Sequence, residues 1–252
     1  MAETYYFGQG QVFSRVRGSG NAGWRWWGDV GDLQISATET EISHTESHSG
    51  NRTKVRSIRF SGDTTLTGNL FEIGTANLIE VLRGKLVEIP GGTVTGEELG
   101  TVEAGSILIP EFPLGISNLV ITDSASAVFD EVHYAVEEPG IIEILDLPST
   151  LPAFPLTASY EYVGGTSVPM FVDTPKDIEV KFVGKNLAEN GQRVIVEFYR
   201  VATGALQSLT LITDPGASDV TSMPWSASVL SDSSKPADGE LGQVGRFITV
   251  GV

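Results

Sequence analysis

From Leu33 onward the chain keeps a β alternation for longer than it keeps an apolar face. Leu33, Ile35 and Ala37 alternate with Gln34, Ser36 and Thr38, the period of a half-buried strand. The apolar positions are then taken by Glu39 and Glu41. After a turn at Ser49-Gly50-Asn51 the returning run carries Lys54 and Arg56 before Ile58 and Phe60. The pattern predicts a hairpin over about 36–60, with an apolar root and a charged, Ser/Thr-rich tip that projects beyond its own domain. Two-stranded ribbons are marginal in water. Such an arm is expected to be received by another subunit.

Composition narrows the function classes. The chain has 252 residues and no cysteine, which excludes disulfides, thiolate nucleophiles and cysteine-ligated metals. Formal net charge is −16. An acidic surface repels nucleic-acid phosphates, so ordinary DNA binding is disfavoured. The charge is uneven: residues 1–62 hold seven Lys/Arg against six Asp/Glu, a net of +1, so residues 63–252 carry −17. The N-terminal part is therefore the better candidate for charge-paired contacts. The first residues show neither a basic n-region nor an apolar h-region, and no run approaches the ~18 apolar residues of a membrane span. The expectation is a chain made and folded in a cytoplasm, without a membrane partner. The sequon Asn51-Arg52-Thr53 then reads as coincidental.

Strand-like runs dominate: Tyr5–Val16, Val30–Phe60, Thr64–Ile73, Ser117–Ile121, Ala127–Tyr134, Gly140–Leu145, Leu156–Val163, Asp177–Val183, Arg193–Val201, Ala205–Ile212, Val220–Val229 and Gly245–Val250. One helix is expected over Thr75–Arg83, capped by Thr75, with Leu78, Ile79 and Leu82 as its apolar stripe and Gly84 as a left-handed stop. The run Leu187–Gly191 reads as a turn between strands. Residues 85–115, rich in Gly and Pro, read as an irregular loop. No linker or internal repeat stands out, so residues 1–252 read as a single, mainly β domain with a helix packed on it.

Motifs with chemistry are sparse. Gly18-Ser-Gly20-Asn-Ala-Gly23 matches a dinucleotide-binding pattern, but Trp24-Arg25-Trp26-Trp27 follows where a phosphate-binding helix should open. A flexible loop is the better reading. His44, Glu46 and His48 share one face of an extended strand and could chelate a metal; polar residues on an arm that touches a neighbour explain them more simply. His133 reads as structural. Paired acids at Glu97-Glu98, Asp130-Glu131 and Glu137-Glu138 could serve glycosidase chemistry, yet clusters on an acidic surface are the default. No nucleophile elbow occurs. Neither an enzyme nor a cofactor is expected. Trp24 and Trp26 share one face and Trp27 takes the other, which suits core, interface or a carbohydrate platform.

The run Asp32–Arg52 resembles tail tube proteins (major tail proteins) of long-tailed bacteriophages, where a strand of the form L-x-I-x-x-x-x-E leads to a hairpin tip H-x-E-S-x-S-G-x-R. His44, Glu46, Ser47, Ser49, Gly50 and Arg52 match that tip. The early strand with Phe7–Gly10, then Thr65–Glu72, Asn77–Gly84, Gly140–Asp146, Leu156–Tyr162, Ile178–Asn186, Val196–Val201 and Gly242–Phe247 extend the similarity over most of the chain. Residues 90–115 and the Trp-rich segment are outside it. The resemblance implies two packed antiparallel β-sheets, a sandwich or barrel, with one flanking α-helix and a long projecting hairpin. It also implies stacked rings, usually hexameric, whose strands join into a tube that conducts DNA without gripping it. Its partners would be further copies of the chain and other tail proteins (tape measure, tail terminator, distal tail), and its place the virion tail after assembly in the host cytoplasm.

On this reading the inter-subunit candidates are Glu39, Glu41, His44, Glu46, Arg52, Lys54 and Arg56, and the lumen candidates are Gln34, Ser36, Thr38, Thr40, Ser57, Arg59 and Ser61. The alternative is a secreted carbohydrate-binding or adhesin-like β-sandwich that uses Trp24, Trp26 and Trp27.

Overall fold

The computed structural model describes residues 5–20, 22–48, 50–237, 239 and 241–250; the side chains of Arg59, Phe60 and Ser61 are also outside the description. The chain is mainly β, with several antiparallel sheets and one α-helix. The elements in chain order are β1 (Gly8–Val16), β2 (Arg25–Trp26), β3 (Val30–Thr45), β4 (Lys54–Leu70), helix α1 (Thr75–Val81), β5 (Val87–Ile89), β6 (Gly92–Gly100), β7 (Ile107–Leu108) and β8 (Ile116–Thr122). They continue as β9 (Tyr134–Glu137), β10 (Ile141–Ile144), β11 (Leu156–Tyr162), β12 (Gly165–Ser167), β13 (Asp177–Asn186), β14 (Gln192–Thr203), β15 (Met223–Val229) and β16 (Gly245–Thr249).

The structure divides into two compact units: residues up to Lys85 together with those from Val168, and Leu86–Ser167 between them. The physical reason is that each unit has its own apolar core. In the first, the strands run in the order β2-β1-β13-β14-β15-β4-β3, and β16 also pairs with β14. β15 takes Val201–Thr203 of β14 while β16 takes Val194–Phe198, so two strands share its length. Alternate residues of β13 and β15 point inward: Ile178, Val180, Met223, Trp225 and Ala227 join Val12, Trp27, Leu66 and Phe198 in the core. Burying such side chains stabilises by about 1.5–3 kcal/mol each relative to exposure.

The helix closes this core with Val81 and Leu82. It is shorter than expected and capped differently. Gly74 is the N-cap, with no side-chain cap bond, and Thr75 is the first helical residue. The left-handed residue at the other end is Arg83 (φ 49), not Gly84. Gly84 N–H donates to Ile79 O at 2.9 Å and Arg83 N–H to Glu80 O at 3.4 Å, the paired bonds of a Schellman stop. Glycine stands at 84 for space: a Cβ there would run into Val168 and lie 2.8 Å from the Pro169 carbonyl oxygen.

The second unit holds three small sheets, β7-β10-β9, β6-β11-β8 and β12-β5. Its core is Val102, Ile121, Phe129, Tyr134, Ile142, Ile144 and Leu156. Val87 of the entering strand pairs with Ser167 of the leaving one, so the unit begins and ends at one place. It holds no Lys or Arg and thirteen Asp/Glu, a net of −13; the remainder of the chain carries only −3.

Three expectations about single elements are corrected. Residues 85–115 are not an irregular loop but contain β5, β6 and β7, short strands whose Gly and Pro residues sit at turns and bulges. Ala127–Tyr134 is not a strand: Val128 makes one isolated bridge to Thr122, and Asp130 caps a 3-10 turn at Glu131–His133. Ala205–Ile212 is also not a strand. Leu206 and Leu209 pack on the first core at a spacing of three, and Leu211 and Ile212 are left exposed. The turn at Leu187–Gly191 is present, with Asn190 and Gly191 at φ 52 and 75. No helix among the described residues is long and apolar enough to cross a membrane.

Candidate functional site

β3 and β4 pair antiparallel from Val30–Leu70 out to Thr45–Lys54. β4 takes β15 as its second neighbour only from Thr64 onward. Beyond that point the two strands have only each other among the described pairings, and Ser36–Thr45 and Lys54–Ile58 are exposed. At the tip Glu46 N–H donates to Thr53 O at 3.0 Å, and Gly50 and Arg52 adopt φ 81 and 49. Ser49, named in the sequence turn, is outside the described residues.

The register decides which residues share a face. Thr40 pairs with Ser61 but Glu41 pairs with Arg59, so Phe60 is an extra residue in β4. A bulge of this kind reverses the inside–outside phase of the strand beyond it. The sequence alternation, which assumes no bulge, puts Glu41, Lys54, Arg56 and Ile58 on one face. The structure sends Arg56 and Ile58 to the other face and keeps Lys54 with Glu41, because a second irregularity lies between His44 and Thr45. On one face Glu41 meets Lys54 in an ion pair and accepts from Ser57 Oγ at 2.6 Å. Lys54 and then Ser57 hold the Glu41 carboxyl below the usual carboxylate range. On the other face Ile42 lies opposite Ile58 and His44 opposite Arg56.

The inter-subunit candidates therefore do not form one charged strip. Glu41 and Lys54 are paired within their own arm. Glu46 meets His48 Nε2 at 3.1 Å and accepts from Thr53 Oγ1 at 3.1 Å. Glu39 lies opposite Gly62, and Arg52 sits in the left-handed turn position. The lumen candidates are split in the same way. Gln34, Ser36, Thr38 and Thr40 line one face of β3 and are exposed, whereas Ser57 lies with Glu41 on the opposite face. The side chains of Arg59 and Ser61 are outside the description. Among the described residues, no group of three or more His, Cys, Asp or Glu gathers as a metal site.

At the root of the arm the first core opens into a cleft of about 800 Å³. Tyr6, Ile35, Phe182, Val196, Phe198 and Phe247 supply its apolar wall, and Asp29 and Asp32 also line it. Tyr6, Ile35 and Phe247 are each more than half exposed, at 56%, 56% and 58%. Sequence reading misses this cleft because its wall comes from strands far apart in the chain. It also misses the Ile42–Ile58 pair, although both isoleucines are visible inside a polar stretch.

The tryptophans do separate by face. Trp27 is buried, with its indole N–H donating to Ser14 Oγ at 2.6 Å and its ring edge-on to Trp225. Trp24 lies beneath two cations, Arg15 at 4.7 Å and Lys181 at 5.0 Å from the ring centroid. Trp26 is half exposed. Of the paired acids, Glu97 accepts from Tyr160 OH at 2.6 Å and from Glu111 N–H at 2.8 Å. Burial, then Glu97, pushes the Tyr160 hydroxyl up to about 12. His133 is held by Asp146.

No curated protein matches the chain. A family model described as "Protein of unknown function UCP028589" matches residues 5–248, and the chain belongs to that family.

Proposed function

We propose that this protein is a structural subunit that polymerises into stacked rings, as the tail tube proteins of long-tailed bacteriophages do. It acts as a conduit for DNA in the virion tail and carries no enzymatic activity. The observation that carries the reading is the β3–β4 arm. Eight residues of β3, Thr38–Thr45, run past the last β4–β15 pairing with only the partner strand beside them among the described pairings. A ribbon this exposed gains little from its own contacts, and a neighbouring copy supplies what it lacks. The two packed sheets, the sandwich or barrel closure and the projecting arm belong to this reading, as do the hexameric ring and the partners at the two ends of a tail.

Charge supports the same reading. Gln34, Ser36, Thr38 and Thr40 offer an uncharged face on β3, and the acidic excess elsewhere does not hold phosphates. DNA then slides rather than binds. Stacked copies use head-to-tail contacts, which extend indefinitely. The carbohydrate reading has less support: Trp24 lies beneath Arg15 and Lys181 and Trp27 is core, which leaves Trp26 as the exposed ring of the three.

Deleting residues 43–52 tests the proposal. The shortened chain should keep its circular dichroism spectrum and unfolding midpoint and sediment as a small species, while the intact chain sediments as large assemblies. Equal sedimentation of the two would remove the arm from assembly.

A further inference from the structure

The bulge at Phe60 leaves the arm with two unlike faces. One holds the Glu41–Lys54 pair, already satisfied within the subunit. The other holds Ile42 and Ile58 directly opposite each other, 63% and 48% exposed, flanked by His44 and Arg56. Neither His44 nor Arg56 has a hydrogen bond or ion pair among the described residues, and no carboxylate pairs across that stretch. Adjoining exposed apolar side chains rimmed by polar groups are a feature of contact sites.

The same unit carries a surface with the complementary chemistry. The cleft at the root of the arm offers an apolar wall of Tyr6, Phe182, Val196 and Phe247, with Asp29 and Asp32 among its lining residues; Asp32 also accepts from Asn69 Nδ2 at 3.2 Å. The arm cannot fill the cleft of its own subunit. Ile35 already forms part of that wall, and Ile42 lies seven residues further along a paired strand, roughly 23 Å away at ~3.3 Å per residue.

We propose that the Ile42–Ile58 face of one copy seats in this cleft of a second copy, with Arg56 against Asp29 and Asp32. The inference rests on the assembly reading above and names the two surfaces that meet. Apolar burial supplies the attraction, and the charge pair fixes the direction in which the arm enters. The contact is head-to-tail, since the arm and the cleft are different patches of the same chain, so it propagates rather than closing a pair.

The absence of cysteine makes the test clean. Copies carrying only Ile42→Cys are mixed with copies carrying only Phe247→Cys, or with copies carrying Ile35→Cys, and oxidised mildly. A control mixture pairs Ile42→Cys with Leu211→Cys, which is exposed and outside the cleft. The expected result is a disulfide-linked pair in the cleft mixtures and not in the control. In parallel, Arg56→Asp should raise the concentration needed for assembly about tenfold, and Asp29→Arg in the same chain should restore it. Assemblies that form normally but cross-link no better than the control, with Arg56→Asp silent, would overturn this contact and leave the assembly reading standing. An intact chain that stays monomeric would overturn both. A cleft that takes an apolar small molecule or another protein would show as assembly indifferent to all of these variants, which also counts against the contact.

Discussion

Trp27 and Trp225 meet edge to face with ring centroids 4.6 Å apart, and Ser14 Oγ accepts a hydrogen bond from the Trp27 indole N–H. That contact locks β1 to the core at the entrance of the arm's first strand. Trp27→Ala should cost about 3–5 kcal/mol, because it removes a large buried side chain from a packed site. Ser14→Ala should cost about 1–3 kcal/mol, since it leaves the indole N–H buried without an acceptor. Urea unfolding of the two variants checks the order. A second residue sets a pH dependence. Arg17 and then Ser234 hold the Asp232 carboxyl well below the usual carboxylate range. A folded pKa below the unfolded value of about 3.9 gives stability that is fully present above that value and lost as pH falls toward the folded one. Asp232→Asn should therefore be less stable than the parent at pH 7, and the gap should hold down to about pH 4 and close only as the pH falls further toward the folded value. Parallel stability curves from neutral to acid pH would reject this role.

At the scale of elements, the stop of α1 is the sharpest case. Gly84→Ala should destabilise by about 1–3 kcal/mol, because a methyl group there meets Val168 and the Pro169 carbonyl in a packed corner. Thermal unfolding measures it, and a neutral result would show that the corner yields. The helix itself is legible in the sequence from Leu78, Ile79 and Leu82, but its stop is not. Arg83 takes the left-handed place because tertiary contact reserves Gly84 for space. The arm shows the same division. Its strands and turn follow from alternation and from Gly50, which are local signals. The bulge at Phe60 leaves no local trace, since an extra residue changes the phase without changing the composition. Arg56 and Ile58 therefore change faces relative to Glu41, and a second irregularity between His44 and Thr45 returns Lys54 to the Glu41 side. Ala205–Ile212 fails for the opposite reason: its leucines look strand-like, yet Leu206 N–H donates to Val81 O and ties the segment to the helix.

The whole molecule joins two units of different character. The inserted unit, Leu86–Ser167, has its own core and starts and ends on paired strands. The sequence hides this division because the strands of the insert are short and broken by Gly and Pro. It does show the charge, once the boundary is known: thirteen acids and no Lys or Arg. Self-repulsion at that density opposes folding and is screened by salt. The insert's unfolding transition should therefore move to higher temperature as sodium chloride is raised, followed by calorimetry on the intact chain. A fall with salt would mean that its carboxylates are held by favourable pairs instead.

The central claim is that the chain assembles through its arm into an open-ended polymer. Electron microscopy of the purified intact protein tests it most directly. The account predicts rings stacked into tubes of uniform diameter with an open axial channel. Uniform separate particles of subunit size, at concentrations far above those used for the arm-deleted chain, would contradict it.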